Sequence, residues 1–324
     1  MTRKEYQQIR KQLSFGSRYE LIFVFLLVDL SLFLFSFWLL TRGTLLAYMA
    51  SQFLLAVVSF HGFVILHECG HQSASSNSFL NTLTGHWCSL FCFMPYFPWK
   101  YIHAEHHLYA GNLDLDPTLK GVRDYREQPL KGLVFQLAWR TWIPLLAFVQ
   151  HLVLWNYPLM LFKLGQLKGR RLTNCLISIT FVPMVYLALH AVFPRLFVIS
   201  NFALALVIYL VIVELVNFPH HLGTNLFRSI SEEKKKLALW EQSRVTRSCY
   251  YPPIISELLF LNFNFHIEHH FFPTLPWFHL RRARKLLRQA LGNEYEECIT
   301  INWNLHNRRK DFRGVFLKGV SNSR

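Results

Sequence analysis

Charged side chains are scarce in this sequence. They make up 16% of its 324 residues, whereas soluble domains carry about a quarter, so lipid is expected as part of the solvent. The six cysteines, at 69, 88, 92, 175, 249 and 298, include no CxxC pair, which excludes a zinc ribbon and a thioredoxin-type motif. No GxGxxG and no CxxCH occurs, so neither a dinucleotide fingerprint nor a c-type haem attachment is present. Acidic residues are few, 19 against 34 Lys and Arg, for a formal charge of +15. That excess does not point to nucleic acid, because the basic residues flank apolar runs and no nucleic-acid motif accompanies them. Lys and Arg in such places mark the cytoplasmic side of a membrane and attract anionic headgroups.

Apolar residues are abundant, at 52% of the chain, and they come in long runs. The spacing predicts spans over 19–40, 45–66, 172–193 and 196–216. After Glu20 at its start, the first run is broken only by Asp29; it is too long for a signal-peptide core and is expected to be retained. Short turns at Thr41–Thr44 and at Pro194-Arg195 close the four spans into two antiparallel hairpins. A basic N-terminal stretch, residues 1–18, places both hairpin openings and both termini in the cytoplasm. The interrupted stretches 79–99 and 133–162 mix Trp, Tyr and Pro with apolar residues, as interfacial helices do; a third hairpin through 133–162 is the alternative. The fold expected is therefore all-α and membrane-integral, with four spanning helices, interfacial helices and a cytoplasmic helical cap. Its membrane domain covers 19–280, and a basic cytoplasmic tail covers 281–324.

Sixteen histidines are present, and most fall in tight groups. His67-Glu-Cys-Gly-His71 closes the second run; its two rings, four residues apart, share a helical face. His103-Ala-Glu-His106-His107 follows, and His266-Ile-Glu-His269-His270 repeats that pattern near the C-terminus. In each HxxHH the third ring is offset around the helix, so one box can address two neighbouring metals. Asn217-Phe-Pro-His220-His221 stands where the last span ends. All four groups fall on one side of the membrane under a topology drawn from apolar runs alone. His61, His86, His151, His190, His279 and His306 carry no such pattern and read as ordinary core or surface histidines. Zinc needs three or four protein ligands, too few to use these imidazoles. Two adjacent metals would use them, and iron suits imidazole and redox chemistry.

HECGH, HAEHH and HIEHH, in this order and with these separations, resemble the three histidine boxes of the membrane fatty-acid desaturase and hydroxylase superfamily. The resemblance runs from about Tyr19 to Leu280. It implies two iron ions held by His67, His71, His103, His106, His107, His266, His269 and His270. It adds a histidine near the end of the last span, for which His221 has the right place and His220 is its neighbour, and an asparagine four residues earlier, Asn217, reaching a metal through water. It further implies O2, a fatty acyl or lipid substrate, and electrons from a separate ferredoxin- or cytochrome b5-type carrier, since the chain shows no redox cofactor motif of its own. The basic clusters Lys234–Lys236, Arg281–Lys285 and Arg308–Lys310 offer an acidic carrier a complementary surface. The boxes' glutamates, Glu68, Glu105 and Glu268, and the nearby Asp114 and Asp116, read equally as solvated or turn-forming charges and as acceptors that fix an imidazole tautomer. Hydroxylation or ketolation of a lipid or carotenoid remains an alternative on the same scaffold. HECGH also fits the HExxH of an intramembrane zinc protease, a reading that leaves both HxxHH boxes unexplained.

Overall fold

The computed structural model describes residues 1–119, 128–163, 165, 168–228 and 236–316. Its helices are α1 (Arg3–Lys11), α2 (Tyr19–Leu40), α3 (Leu45–Gly70), α4 (Ser78–Cys92), α5 (Tyr96–Tyr109), α6 (Pro129–Thr141), α7 (Leu145–Lys163), α8 (Gly169–Val192), α9 (Ser200–His221), α10 (His266–Phe271), α11 (Leu280–Leu291), α12 (Thr300–Asn307) and α13 (Phe312–Phe316). One short parallel pair, β1 (Ser248–Tyr250) and β2 (Glu297–Ile299), registers Cys249 against Cys298. The chain forms two compact units, one of residues 16–101 and 147–213, the other of 1–15, 102–146 and 214–324.

The first unit holds the long apolar helices. α2, α3, α8 and α9 overlap the expected stretches 19–40, 45–66, 172–193 and 196–216, α9 starting only at Ser200, and all are long and apolar enough to cross a membrane. α7 also meets that criterion, although the sequence predicts interfacial helices there; the stretch 133–162 divides into α6 and α7. α2 and α3 pack along each other, with Gly43 at φ +66° in the turn between them. Asp29, the acidic residue in the middle of α2, is 2% exposed. His61 of α3 places Nδ1 2.8 Å from both Asp29 oxygens, so the polar group of one helix is answered by the other, as an apolar surrounding demands. Gln52 does the same for α9: its Nε2 donates to the Asn201 carbonyl at 2.8 Å and its Oε1 accepts from Ala205 N–H at 2.9 Å.

α3 continues past the expected span to Gly70, which puts the start of the first box in its last turn, with His71 as the C-cap. A Cβ at position 70 would overlap the Trp99 indole. Glycine between the two box histidines therefore lets Trp99 close on them, its ring centroid 5.6 Å from that of His67 in an edge-on arrangement.

In the second unit, α1 and α13 are both part of the core. α1 is capped by Thr2, which accepts from Glu5 N–H while the Glu5 carboxylate accepts in return, a reciprocal cap. Tyr6, Ile9 and Leu13 are buried on its inner side; the Tyr6 hydroxyl donates to the Phe271 carbonyl at 3.0 Å and its ring stacks on Phe272. Phe312, Val315 and Phe316 of α13 join Leu113, Trp139, Phe218 and Leu222 in one apolar cluster. Arg308, foreseen as part of a docking cluster, is buried instead. It pairs with Glu214 at 3.0 Å and lies over the rings of Trp139 and Trp142. A guanidinium taken out of water has to be paired and hydrogen-bonded to be tolerated, and its Nη1 also donates to the Trp139 carbonyl. Of the other foreseen clusters, Lys234 and Lys235 lie outside the described residues, and Arg281 and Arg284 pair with Glu257 and Glu297.

Candidate metal centre

The last turn of α9 contains Pro219, which cannot donate a helical hydrogen bond, and its terminal carbonyls need partners. Arg247 supplies them. Its backbone N–H donates to the His220 carbonyl at 2.7 Å, and its guanidinium donates to the carbonyls of Pro219 (2.9 Å) and Leu222 (3.2 Å). This buried cap fixes the direction in which His221 leaves the helix.

His106, His221, His266 and His270 each offer a ring nitrogen within 4.8 Å of the others. Three of these rings are oriented by an oxygen on the far side. His106 Nδ1 lies 3.0 Å from both oxygens of Asp116, His221 Nδ1 lies 3.2 Å from the Val245 carbonyl, and His270 Nδ1 lies 2.8 Å from Gln242 Oε1. An acceptor against Nδ1 keeps the proton there and leaves Nε2 as a lone pair. The free nitrogens then crowd together: His221 Nε2 is 2.7 Å and His270 Nε2 3.2 Å from His266 Nε2. Converging lone pairs of neutral imidazoles repel one another unless a cation sits among them, so this donor set fits a metal ion. Burial, with the neighbouring histidines, holds His266 and His270 well below the usual imidazole pKa, so both rings are neutral and ready to ligate.

Within the same unit His107 Nε2 stands 3.1 Å from His103 Nε2 and 2.9 Å from His269 Nε2. In the first unit His67 and His71 face each other at the end of α3, with ring centroids 4.8 Å apart. His220 is outside the four-histidine group: its ring stacks on His266 with centroids 4.2 Å apart, and neither ring nitrogen has a hydrogen-bond partner among the described residues. Asn217 lies one turn before His221 on α9. The four-histidine group and the five box histidines outside it make a donor set suited to a pair of irons. The protease reading accounts for His67 and His71 alone and leaves the converging imidazoles of both HxxHH boxes without a role.

Of the glutamates in the boxes, Glu268 is engaged away from the imidazoles. Glu268 is fully buried and accepts from Tyr295 OH at 2.6 Å and Ser248 Oγ at 2.8 Å. It holds the backbone of α10 to its surroundings and touches no box imidazole at hydrogen-bonding distance. Burial pushes its pKa up. Glu68 is buried too and accepts from Ser73 Oγ at 2.9 Å; its other oxygen is 3.8 Å from His67 Nδ1, beyond a hydrogen bond. Glu105 is half-buried. Asp116 does both jobs open to it, orienting His106 and accepting from Thr118 N–H at 2.9 Å and Gly111 N–H at 3.3 Å. Gly111, at φ +78°, sits where a Cβ would meet Val245. Sequence reasoning missed Gln242, whose amide spans two boxes: while Oε1 faces His270, Nε2 donates to the His107 carbonyl at 2.9 Å.

Clustered imidazoles oriented by carboxylate, amide and carbonyl oxygens, in a multi-helix chain with several membrane-length helices, define a histidine-ligated di-iron membrane oxidoreductase. A family model described as fatty acid desaturase matches residues 43–302, and the chain belongs to that family. It is 27% identical over 287 residues to an sn-1 acyl-lipid omega-3 desaturase (ferredoxin) of a Synechocystis species, covering 80% of this chain and 75% of that one. It is 26% identical over 251 residues to an acyl-lipid omega-3 desaturase (cytochrome b5) of the endoplasmic reticulum of Arabidopsis thaliana, with 74% and 63% covered. A Synechocystis sn-1 oleoyl-lipid 12-desaturase is 26% identical over 250 residues, with 75% and 68% covered.

Proposed function

We propose that this chain desaturates an acyl chain carried on a membrane glycerolipid, consuming O2 and electrons from a separate ferredoxin- or cytochrome b5-type carrier. The observation that carries the reading is the set of three Nδ1-anchored imidazoles converging with His266. In this reading His106, His221, His266 and His270 hold one iron, with Asn217 reaching it through water. His67, His71, His103, His107 and His269 hold the other. When bound, the two irons supply the oxidising power to remove hydrogens from an unactivated C–H bond. The chain's own part is to keep the imidazoles neutral, to fix their direction through Asp116, Gln242 and the Val245 carbonyl, and to exclude bulk water. The relatives' names, two acyl-lipid enzymes with different carriers, support a glycerolipid-borne substrate and an external electron donor.

The grouping of histidines also bears on topology. His106 and His221 belong to one group, so an even number of membrane crossings separates them. α7, α8 and α9 together would make an odd number. With α8 and α9 forming a hairpin through Pro194, α7 is the helix that stays on one side, along the interface. This supports four spans with the metal centre on one side of the membrane, and the basic N-terminal stretch favours the cytoplasmic side for it and for both termini.

Expression in a host with a compatible carrier, followed by profiling of membrane lipids against an empty-vector control, tests the reading. New acyl chains with one more double bond are expected. Hydroxylated or ketone-bearing lipids in their place would reassign the reaction, and turnover by the purified chain with only NADPH and O2 would remove the need for a carrier.

A further inference from the structure

α11 is amphipathic in an asymmetric way. Leu280, Ala283, Leu287 and Leu291 are buried, whereas Arg281, Arg284, Lys285 and Arg288, at spacings that share one helical face, line a cleft of about 470 Å³. The opposite wall carries Tyr250, Tyr251 and Phe265. Two carboxylates answer part of the charge: Glu257 pairs with Arg281 at 2.8 Å, and Glu297 pairs with Arg284 and lies 3.8 Å from Arg288. Lys285 has no ion pair among the described residues. Four cations against two anions leave a surplus of positive charge facing an open cleft.

Beside the cleft the chain exposes apolar side chains. Ile254 is 72%, Leu258 56% and Ile255 40% exposed, on the short segment that carries Glu257, and Tyr250 is 49% exposed. A single exposed isoleucine is ordinary. Three apolar side chains within five residues, bordered by an aromatic and a basic stripe, have the composition of a surface that rests in the headgroup and upper acyl region of a bilayer. A soluble anion would be held as well by the cations but gives these side chains nothing to do.

We propose that this cleft seats the phosphate of an anionic glycerolipid, between Lys285 and Arg288 on one side and Tyr250 and Tyr251 on the other, while Ile254, Ile255 and Leu258 enter the acyl layer. The seat is separate from the metal centre, since none of the grouped histidines lines it, yet Phe265 in its wall directly precedes His266. It rests on the reading of the chain as a lipid-acting enzyme and adds a headgroup preference to it.

The test is native mass spectrometry of the full chain in detergent, titrated with dioleoyl phosphatidylglycerol and, separately, dioleoyl phosphatidylcholine. The unmodified chain is expected to retain the anionic lipid preferentially. The double variant Lys285→Gln, Arg288→Gln is expected to lose that preference by about five-fold per charge removed, and Lys285→Arg, Arg288→Lys to keep it. Iron content and thermal midpoint measured on each variant show that it is folded. Equal retention of both lipids by the unmodified chain, or a preference that survives the double Gln variant, overturns the proposal. Full displacement of the lipid by millimolar inorganic phosphate, or tighter binding of an oleoyl coenzyme A thioester, overturns it in favour of a soluble phosphate ligand. A double Gln variant that binds lipid normally but has a raised Kd for a ferredoxin or cytochrome b5 makes the cleft a protein dock instead. None of these readouts uses turnover, so a failure of the desaturase reading is seen separately, in the lipid profile.

Discussion

The second and third boxes share one pattern, HxxHH, and are held in place in different ways. HAEHH lies on α5, a helix of 14 residues, and its main acceptor, Asp116, follows His106 by ten residues. HIEHH lies on α10, a helix of six residues whose side chains are all buried. A helix that short does not form on its own account, because nucleation costs more than so few hydrogen bonds return. Its position comes from distant segments: Ser248 Oγ accepts from Ile267 N–H at 3.0 Å and donates to Glu268, Tyr295 closes on the same carboxylate, and Gln242 faces His270. The same five-letter signature thus rests on local support in one case and on long-range support in the other. Damage to supports should therefore be felt more widely around the third box.

The largest effect belongs to the imidazoles themselves. His106→Ala and His266→Ala are both expected to lose iron and to lower turnover by more than about 100-fold, beyond the roughly 10–100-fold typical of residues behind the ligands. Iron analysis beside a lipid assay reads both quantities. At this level the two boxes are expected to look alike, and a box histidine that tolerates alanine would break the comparison at its base.

The supports should separate them. Gln242→Leu removes an acceptor from His270 and a donor from the His107 carbonyl together, and turnover is expected to fall by roughly 10–100-fold with iron loss. Asp116→Ala, acting on the self-supporting α5, is expected at the lower end of that range. A reversed order of these two variants would show that local support is the more critical. Ser248→Ala strands a buried carboxylate oxygen and is expected to cost about 1–3 kcal/mol of stability, read as a shift in denaturation midpoint.

Acid sharpens the same contrast. His266 and His270 have pKa values held below the ordinary 6.5 by burial, so the unfolded chain takes up protons before the folded one does. Linkage then makes stability present above the ordinary histidine range and lost progressively as pH falls below it toward the depressed values. Iron-free protein should show this acid loss, and bound iron, which adds stability but is displaced by protons at the same nitrogens, should steepen it. Glu268 has the opposite sign: its raised pKa costs stability as pH rises through it, so Glu268→Gln should flatten the profile on that side. The smallest effect is expected for His279→Ala, within about 0.5 kcal/mol, since that ring belongs to neither group.

Much of the site was legible because its chemistry is written in local spacing. Histidines three and four apart announce a shared face, and apolar runs of membrane length announce the long helices of the first unit. What stayed hidden depends on contacts between segments far apart in the chain. Gln242 is an unremarkable polar residue in sequence, and nothing near it names His270 or the His107 carbonyl as its partners. Arg247 looks like one more basic residue of a basic tail, yet it caps a helix that ended 26 residues before it. The tail reading of residues 281–324 missed Phe312, Val315 and Phe316, too few and too widely set to stand out against the basic residues around them. The buried pair of Asp29 and His61 shows the limit from the other side. Each residue is visible as an anomaly in its own run, but only the hairpin packing reveals that they answer each other.

The account stands on two histidine groups, each holding an iron. The most direct measurement is the metal content of purified protein, taken together with that of His221→Ala. Close to two irons per chain are predicted for the unmodified protein and about one for the variant, since only the group containing His221 loses a ligand. Stoichiometric zinc without iron, or a variant that keeps its full complement, would contradict the account.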